Sequence, residues 1–348
     1  MSTSKRVTIT DVARQAGVSI KTVSNVINNS GSMRPETRER VRKTITSMGY
    51  SVNYSARSLK TGVSKLIGLA TFDFTQSFTA LFAQSLIEVA RERDYGVVIN
   101  TYDLDGTGLP EAVDRIPSLG ADGWIFLSGK PLANEGAILQ QQYPIVFVGD
   151  FDAYGKADSV RVPSREAMDA LVSRLLAKGF RRIGLIGAPE GVDANNVMQA
   201  SEGAGPLRLR GFVEAFSRLG IPVDWNLVIP ESRWLSSDGE RAIRDLLGRV
   251  ACPEIIICLN DALAFGAVHE LQRMGLQIPQ DVQVIGFDNV QECQFSTPTL
   301  STVDLHMEAF ASAAVDMLIG RINGDTGPFQ TVTTDFTFVE RASTRALR

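Results

Sequence analysis

Cysteine, histidine and long apolar runs are all scarce in this chain, and each scarcity removes a class of protein. Its three cysteines, Cys252, Cys258 and Cys293, form no paired motif, so no disulfide framework or cysteine metal site is encoded. Two of them lie in or beside apolar runs, where a buried free thiol is the ordinary state, and that fits a reducing cytoplasm. The only two histidines, His269 and His306, fall on predicted helices without metal-ligand spacing to each other or to cysteine. No apolar run reaches transmembrane length, and the opening MSTSKRVTITDVARQAG lacks the apolar core of a secretory signal. There is no P-loop and no nucleophile elbow. The stretch GLIGAPEG departs from G-x-G-x-x-G and has no clear acidic partner. The expectation is therefore a cytoplasmic protein that is not an enzyme, carries no cofactor or metal and has no membrane partner.

What is present is divided unevenly. The 348 residues allow two or three domains. Residues 1–61 hold eleven Lys and Arg against three acids, a net charge of +8, while the remainder carries −12. A basic head on an acidic body points to a polyanionic partner for the head alone, although a solvated basic face would give the same count.

The head is short and helical in pattern. Ile9, Val12, Ala13 and Ala16 share one helix face, and Gly17 breaks that helix. Ser19 is an N-cap for a second helix reaching about Asn28, with Val23, Val26 and Ile27 inward. Pro35 opens a third helix with Val41, Ile45 and Met48 as its apolar stripe, ended by Gly49. Two short helices joined by a glycine turn make a helix-turn-helix. In that motif the start of the second helix meets base edges, which selects Ile20, Lys21 and Asn25. Lysine suits guanine O6 and N7, asparagine suits adenine, and isoleucine suits the thymine methyl. Thr8, Ser19, Thr22, Ser24, Asn28 and Tyr50 supply groups that hold phosphates, while Ser19 and Asn28 are equally read as helix caps.

The string VTITDVARQAGVSIKTVSNVINNSGSMRPETRERVRKTITSMGYSVNYSARSLKTG resembles the headpiece of the lactose/galactose repressor (LacI/GalR) family throughout. DVA-x-x-AGVS, TVS, ETRERV, the GY pair and N-x-x-ARSL follow in family order. Asn25 stands where the family often has Arg, Arg34 replaces the usual Ser cap, and Val52 replaces the usual Pro. By itself NYSARSLK reads as a linker or marginal helix. The resemblance implies a hinge helix starting at Asn53, paired across a dimer in the minor groove. Ala56 would lie at the helix contact, and Leu59 would be the wedge that opens a base step. Leu59 docking on the core is the other reading.

From Leu66 onward short apolar runs (LIGLAT, VVINTY, GWIFLS, PIVFVG, RIGLIG, EIIICL, VQVIGF) alternate with helical stretches at 80–93, 165–178, 207–219, 238–249 and 262–274. Such alternation means parallel sheets covered on both faces. SKLIGLA, ADGWIF, KGFRRIGLIG, RLRGF, CLNDALAFGA and VIGFDN resemble the type I periplasmic-binding-protein fold that this family attaches to its headpiece. The expected fold class is thus a small all-α helix-turn-helix headpiece plus an α/β two-lobed core. The headpiece spans 1–52 and the hinge 53–62, followed by a core at 63–348 with its first lobe at about 63–160 and 291–323, its second at about 161–290 and 324–345.

Ligands of open α/β sheets bind beyond the carboxyl ends of the strands. That rule selects Asp73, Phe74, Thr75, Gln76 and Phe78 after the first strand, then Ser128, Asp150, Asn260, Asp261 and Asp288 after later ones. Arg208 opens a helix, and Trp234 sits in the irregular SRWLSS. Carboxylates and amides bridge adjacent hydroxyls, arginine donates a planar fork and an indole covers a sugar face. By resemblance, Arg208, Asp288, Asn260 and Trp234 match effector-contacting positions. Each has a plainer alternative: a surface salt bridge for Arg208, a turn with Asn289 for Asp288, a helix cap for Asn260 or Asp261, core filling for Trp234.

A solute receptor would explain the body without the head, and an architectural DNA-binding protein the head without the body. Both together imply a homodimeric DNA-binding regulator on a pseudo-palindromic operator. The resemblance implies a repressor of carbohydrate-utilisation genes, switched by a sugar or sugar derivative acting as inducer or corepressor. No heptad tail follows TVTTDFTFVE, which reads as the last strand, to suggest a coiled-coil tetramer.

Overall fold

The computed structural model describes residues 7–27, 30–50, 63–72, 74–103, 108–129, 131 and 137–345. The expectations for Asn28, Asn53, Ala56, Leu59 and Asp73 lie outside these residues. Two compact units emerge, Met1–Ser64 and Lys65–Arg348.

In the smaller unit, local signals account for the three helices α1 (Ile9–Ala16), α2 (Ile20–Ile27) and α3 (Pro35–Ser47). Thr8 and Asp11 form a reciprocal capping box: the Asp11 N–H donates to the Thr8 hydroxyl at 3.3 Å, and the Thr8 N–H donates to the Asp11 carboxylate at 3.0 Å. Gly17, at φ 65°, ends α1 in the left-handed region that favours glycine. The Thr22 N–H donates to the Ser19 hydroxyl at 3.1 Å, capping α2. Arg34 supplies no side-chain cap for α3. Val12, Ala13, Ala16, Val23, Val26 and Val41 are buried together as the core.

The larger unit holds two parallel sheets. Its elements are β1 (Leu66–Phe72), α4 (Ser77–Glu92), β2 (Gly96–Tyr102), α5 (Leu109–Leu119), β3 (Gly123–Leu127), β4 (Ile145–Val148), β5 (Asp158–Arg161) and α6 (Ser164–Ala177). There follow β6 (Ile183–Ala188), α7 (Ala204–Arg218), β7 (Val228–Pro230), α8 (Ser236–Arg249), β8 (Ile255–Cys258), α9 (Asp261–Arg273) and β9 (Gln283–Ile285). The chain closes with β10 (Thr302–Asp304), α10 (Met307–Ile322), β11 (Thr331–Thr333) and β12 (Thr337–Val339). The first sheet has the order β11-β5-β4-β3-β1-β2 and the second β7-β6-β8-β9. Every residue of β3, β4, β6 and β8 is buried, which requires cover on both faces. Helices α8 and α9 nearly touch: a Cβ on Gly266 would fall 1.8 Å from the Ser236 carbonyl oxygen.

The crossovers between lobes differ from the sequence reading. Residues 291–301 stay with the second sheet, where Ile285 bridges Ser301 and the Leu300 N–H donates to the Cys293 carbonyl at 2.8 Å. The chain leaves that lobe through β10. TVTTDFTFVE is two strands, not one: β11 pairs with β5 in the first sheet, and β12 pairs antiparallel with β10. Arg321 is the cause. Its guanidinium grips Asp158 at 2.6 and 3.0 Å and takes the carbonyls of Asp325, Gly327 and Pro328, fastening 325–330 onto the β5 edge. Ser343 and Arg345 return to the second sheet, at Val284 and Gln283. His306 does not lie on a helix but precedes α10 at φ 50°.

Candidate functional site

On α2, Val23 and Val26 face inward, which turns Ile20, Lys21, Ser24 and Asn25 outward. Ile20 is 48% exposed. Ser19 and Lys21 are exposed, while Thr22, Ser24, Asn25 and Tyr50 are half-buried. The Ser19 and Thr22 hydroxyls lie 2.9 Å apart, and Tyr50 packs on the core. Thr8 spends its hydroxyl on Asp11 at 2.6 Å, so its main task is the cap.

In the larger unit, strand ends converge on one buried guanidinium. Arg208, in the second turn of α7, is 3% exposed, which removes the surface salt bridge as an explanation. Its Nη2 donates to Asp288 Oδ1 at 3.4 Å, Nη1 to the Leu259 carbonyl, and Nε to the Ser164 hydroxyl at 3.3 Å. The guanidinium carbon lies 3.7 Å from the Phe287 ring centroid and 5.5 Å from that of Trp234. Ser164 in turn donates to Asp150 Oδ2 at 2.6 Å. Asp150 follows β4 in the first lobe, whereas Arg208 and Asp288 belong to the second, so this chain of bonds spans both lobes. Ser164 was missed in the sequence, although Pro-Ser ahead of a helical pattern marks a helix start.

Backbone strain gathers at the same place. Trp234 (φ 56°), Asp288 (φ 113°) and Asn289 (φ 56°) all lie in the left-handed region. Each costs on the order of 1 kcal/mol or more and persists only where the surroundings dictate it. Here the Asp288 N–H donates to Val303, the Asn289 amide to Asp304 at 3.0 Å, and Arg341 to Asn289 at 2.8 Å.

Three buried carboxylates, Asp150, Asp261 and Asp288, face this single buried cation. Burial pushes Asp150 up to about 6, against the smaller opposing pulls of Ser164 and Arg208. Burial also raises Asp288 and Asp261, the latter despite bonds from Thr302 and the Val290 N–H. Such a site is rich in acceptors, with a planar donor and two rings beside it. Such a donor and acceptor set matches the chemistry of hydroxyl-bearing molecules. Among the described residues, no group of three acidic, cysteine or histidine side chains could hold a metal ion.

The remaining expected contacts are scattered. Asn260 caps α9, accepting from the Leu263 N–H at 2.8 Å, and its amide donates to the Trp234 carbonyl at 3.0 Å. The Trp234 indole donates to Gly187 at 2.9 Å. Gln76 is buried and donates across the lobes to the Arg233 carbonyl at 2.8 Å. Ser128 is buried and Phe78 packs on the core, while Phe74 and Thr75 are exposed.

Comparison with known proteins fits both units. The profile of bacterial regulatory proteins of the lacI family matches residues 8–53, and that of the periplasmic binding protein-like domain matches 172–344. A LacI-type transcription regulator from Bifidobacterium animalis subsp. lactis has a solved structure 44% identical to this chain. It covers 81% of this chain and 100% of its own, with a TM-score of 0.78. The chain belongs to the LacI family. LacI-family members are regulators of transcription, not enzymes. The HTH-type transcriptional repressor PurR of Klebsiella pneumoniae is 29% identical over 97% of this chain and 96% of its own length. The structure of the transcriptional regulator CelR with cellobiose is 25% identical, covers 97% of this chain and 100% of its own, and has a TM-score of 0.68. No helix among the described residues is long and apolar enough to cross a membrane.

Proposed function

We propose that this LacI-family chain represses carbohydrate-utilisation genes as a cytoplasmic homodimer on a pseudo-palindromic operator, and that a sugar or sugar derivative switches it. The headpiece at 1–52 reads DNA, the segment 53–62 is the hinge, and 63–348 bind effector. Ile20, Lys21 and Asn25 read bases, with Ser19, Thr22, Ser24 and Tyr50 beside phosphates. Arg208, Asp288 and Asp150 hold hydroxyls, and Trp234 covers a ring face. The observation that carries this reading is the buried chain Asp150–Ser164–Arg208–Asp288, which joins the two lobes at the carboxyl ends of their strands. A ligand entering that chain must exchange bonds on both lobes at once, so its binding depends on the angle between them.

A thermal-shift screen of mono- and disaccharides, cellobiose included, beside purine bases tests the ligand class. A sugar that raises the melting temperature is the expected result. A response to purines alone would replace sugar with nucleobase.

For the head, operators selected from a random DNA pool supply the substrate. Lys21→Ala is expected to weaken the selected operator by roughly 10- to 100-fold and random DNA much less. Equal losses on both would leave Lys21 as a phosphate contact only.

A further inference from the structure

We propose that Gly31 is a specificity-determining positioning residue whose bare backbone fixes the amide of Asn25 in the orientation that reads an operator base. The inference rests on the reading of Asn25 as a base contact and goes beyond it by naming what aims that side chain.

Asn25 lies in the last turn of α2. A terminal amide on an open helix face turns freely about its last torsion, yet bidentate pairing with adenine needs oxygen and N–H in one plane. A base-reading amide therefore requires a neighbour that restricts it. The loop after α2 supplies one. The Ser30 N–H donates to the Asn25 carbonyl at 2.9 Å, which holds Ser30 against the helix end. Gly31 follows at φ 74°, a conformation that favours glycine. A Cβ built on Gly31 would lie 2.6 Å from Asn25 Nδ2, 3.1 Å from its Cγ and 3.5 Å from its Cβ. The volume that any other residue would fill is thus occupied by the Asn25 amide. Amide nitrogen, Cγ and Cβ of Asn25 all lie within 3.5 Å of that Cβ position, so a side chain at 31 would meet the amide in its present orientation. The obstructing atom is the tip of a short side chain, not backbone, so a methyl at position 31 would displace the amide first.

The test uses the full-length chain in four forms: wild type, Gly31→Ala, Asn25→Ala and the double variant. Each is profiled for base preference at every operator position and for affinity to random DNA. Asn25→Ala is expected to lose preference at one base position in each half-site, by about tenfold. Gly31→Ala should lose the same preference at the same position while binding random DNA within about twofold of wild type. The double variant should match Asn25→Ala, because two changes acting through one amide do not add. Gly31→Asn serves where backbone strain unsettles the head. Asparagine tolerates the left-handed region but still carries a Cβ, so the same preference should be lost with the head's melting unchanged.

Retained base preference in Gly31→Asn, or equal additive losses on operator and random DNA in both backgrounds, would overturn the proposal and leave Gly31 as a loop former. If Asn25→Ala changes no base preference, the reading of Asn25 itself fails, and with it any role for Gly31 in aiming it.

Discussion

Arg208→Ala is expected to abolish the effector response and to lower the melting temperature of the larger unit by roughly 10 °C. Both effects share one cause. Among the described residues Arg208 is the single buried cation facing Asp150, Asp261 and Asp288, and all four groups are almost fully buried. Removing one member of a buried ion pair costs about 3–5 kcal/mol, because the partner charge is left in a low-dielectric site. In a unit of this size each kcal/mol moves the melting temperature by about 2–4 °C. Part of the loss is recovered as the carboxylates take up protons, so the variant should be least stable at high pH. Arg208→Lys separates folding from recognition: it keeps the charge but not the planar fork that reaches Ser164, Leu259 and Asp288 together. That variant is expected to fold, bind operator without effector, and bind effector at least about tenfold more weakly. Wild-type effector affinity in Arg208→Lys would remove Arg208 from the site.

Asp150→Asn should stabilise the fold at neutral pH while damaging recognition. Burial holds the Asp150 carboxyl at about 6, above its ordinary value of 3.8. The folded state therefore favours the protonated form and binds more protons than the unfolded state between those values. Stability from this group is complete below the ordinary value and is lost as pH rises through about 6. Each pKa unit corresponds to about 1.4 kcal/mol, so at pH 7.5 the neutral asparagine should be more stable by about 1–3 kcal/mol. The asparagine oxygen can still accept from Ser164, which keeps the shape of the site. Melting curves of wild type and variant from pH 4 to 8 check this: the difference should open as pH rises and vanish near pH 4. A difference independent of pH would mean that Asp150 does not titrate in this range.

How much of this was legible in sequence depends on how local the cause is. The three head helices were readable because each is set within a few residues: Thr8 and Asp11 cap the first, Gly17 stops it, Ser19 caps the second and Pro35 opens the third. Long apolar strands such as Leu66–Phe72 were readable for the same reason. The short strand Asp158–Arg161 was not, and TVTTDFTFVE read as one strand, since the pairing of Thr331–Thr333 with Asp158–Arg161 spans 172 residues and is held by the Arg321 clamp. The same distinction runs through the candidate site. Asp150 and Asp288 follow from strand ends and Arg208 from the resemblance carried by RLRGF, but Ser164, which joins Asp150 to Arg208, owes its place to the crossover between lobes. Gln76 sits near a strand end as expected, yet its bond to Arg233 is a contact between distant segments that no local pattern encodes. Asn260 shows one residue in two tasks: it caps α9, as its position before a helix implies, and its amide also steadies the strained Trp234 loop.

The central claim is that occupancy of the lobe site and DNA binding by the head are coupled. The most direct measurement is calorimetric titration of the sugar that gives the largest thermal shift, with and without operator DNA, beside operator binding with and without that sugar. Linkage requires the two ratios to be equal: whatever factor the sugar imposes on operator affinity, operator must impose on sugar affinity. The account predicts a shared factor of roughly 5- to 150-fold, in either direction. Sugar affinity that is indifferent to operator, with operator affinity indifferent to sugar, would contradict it.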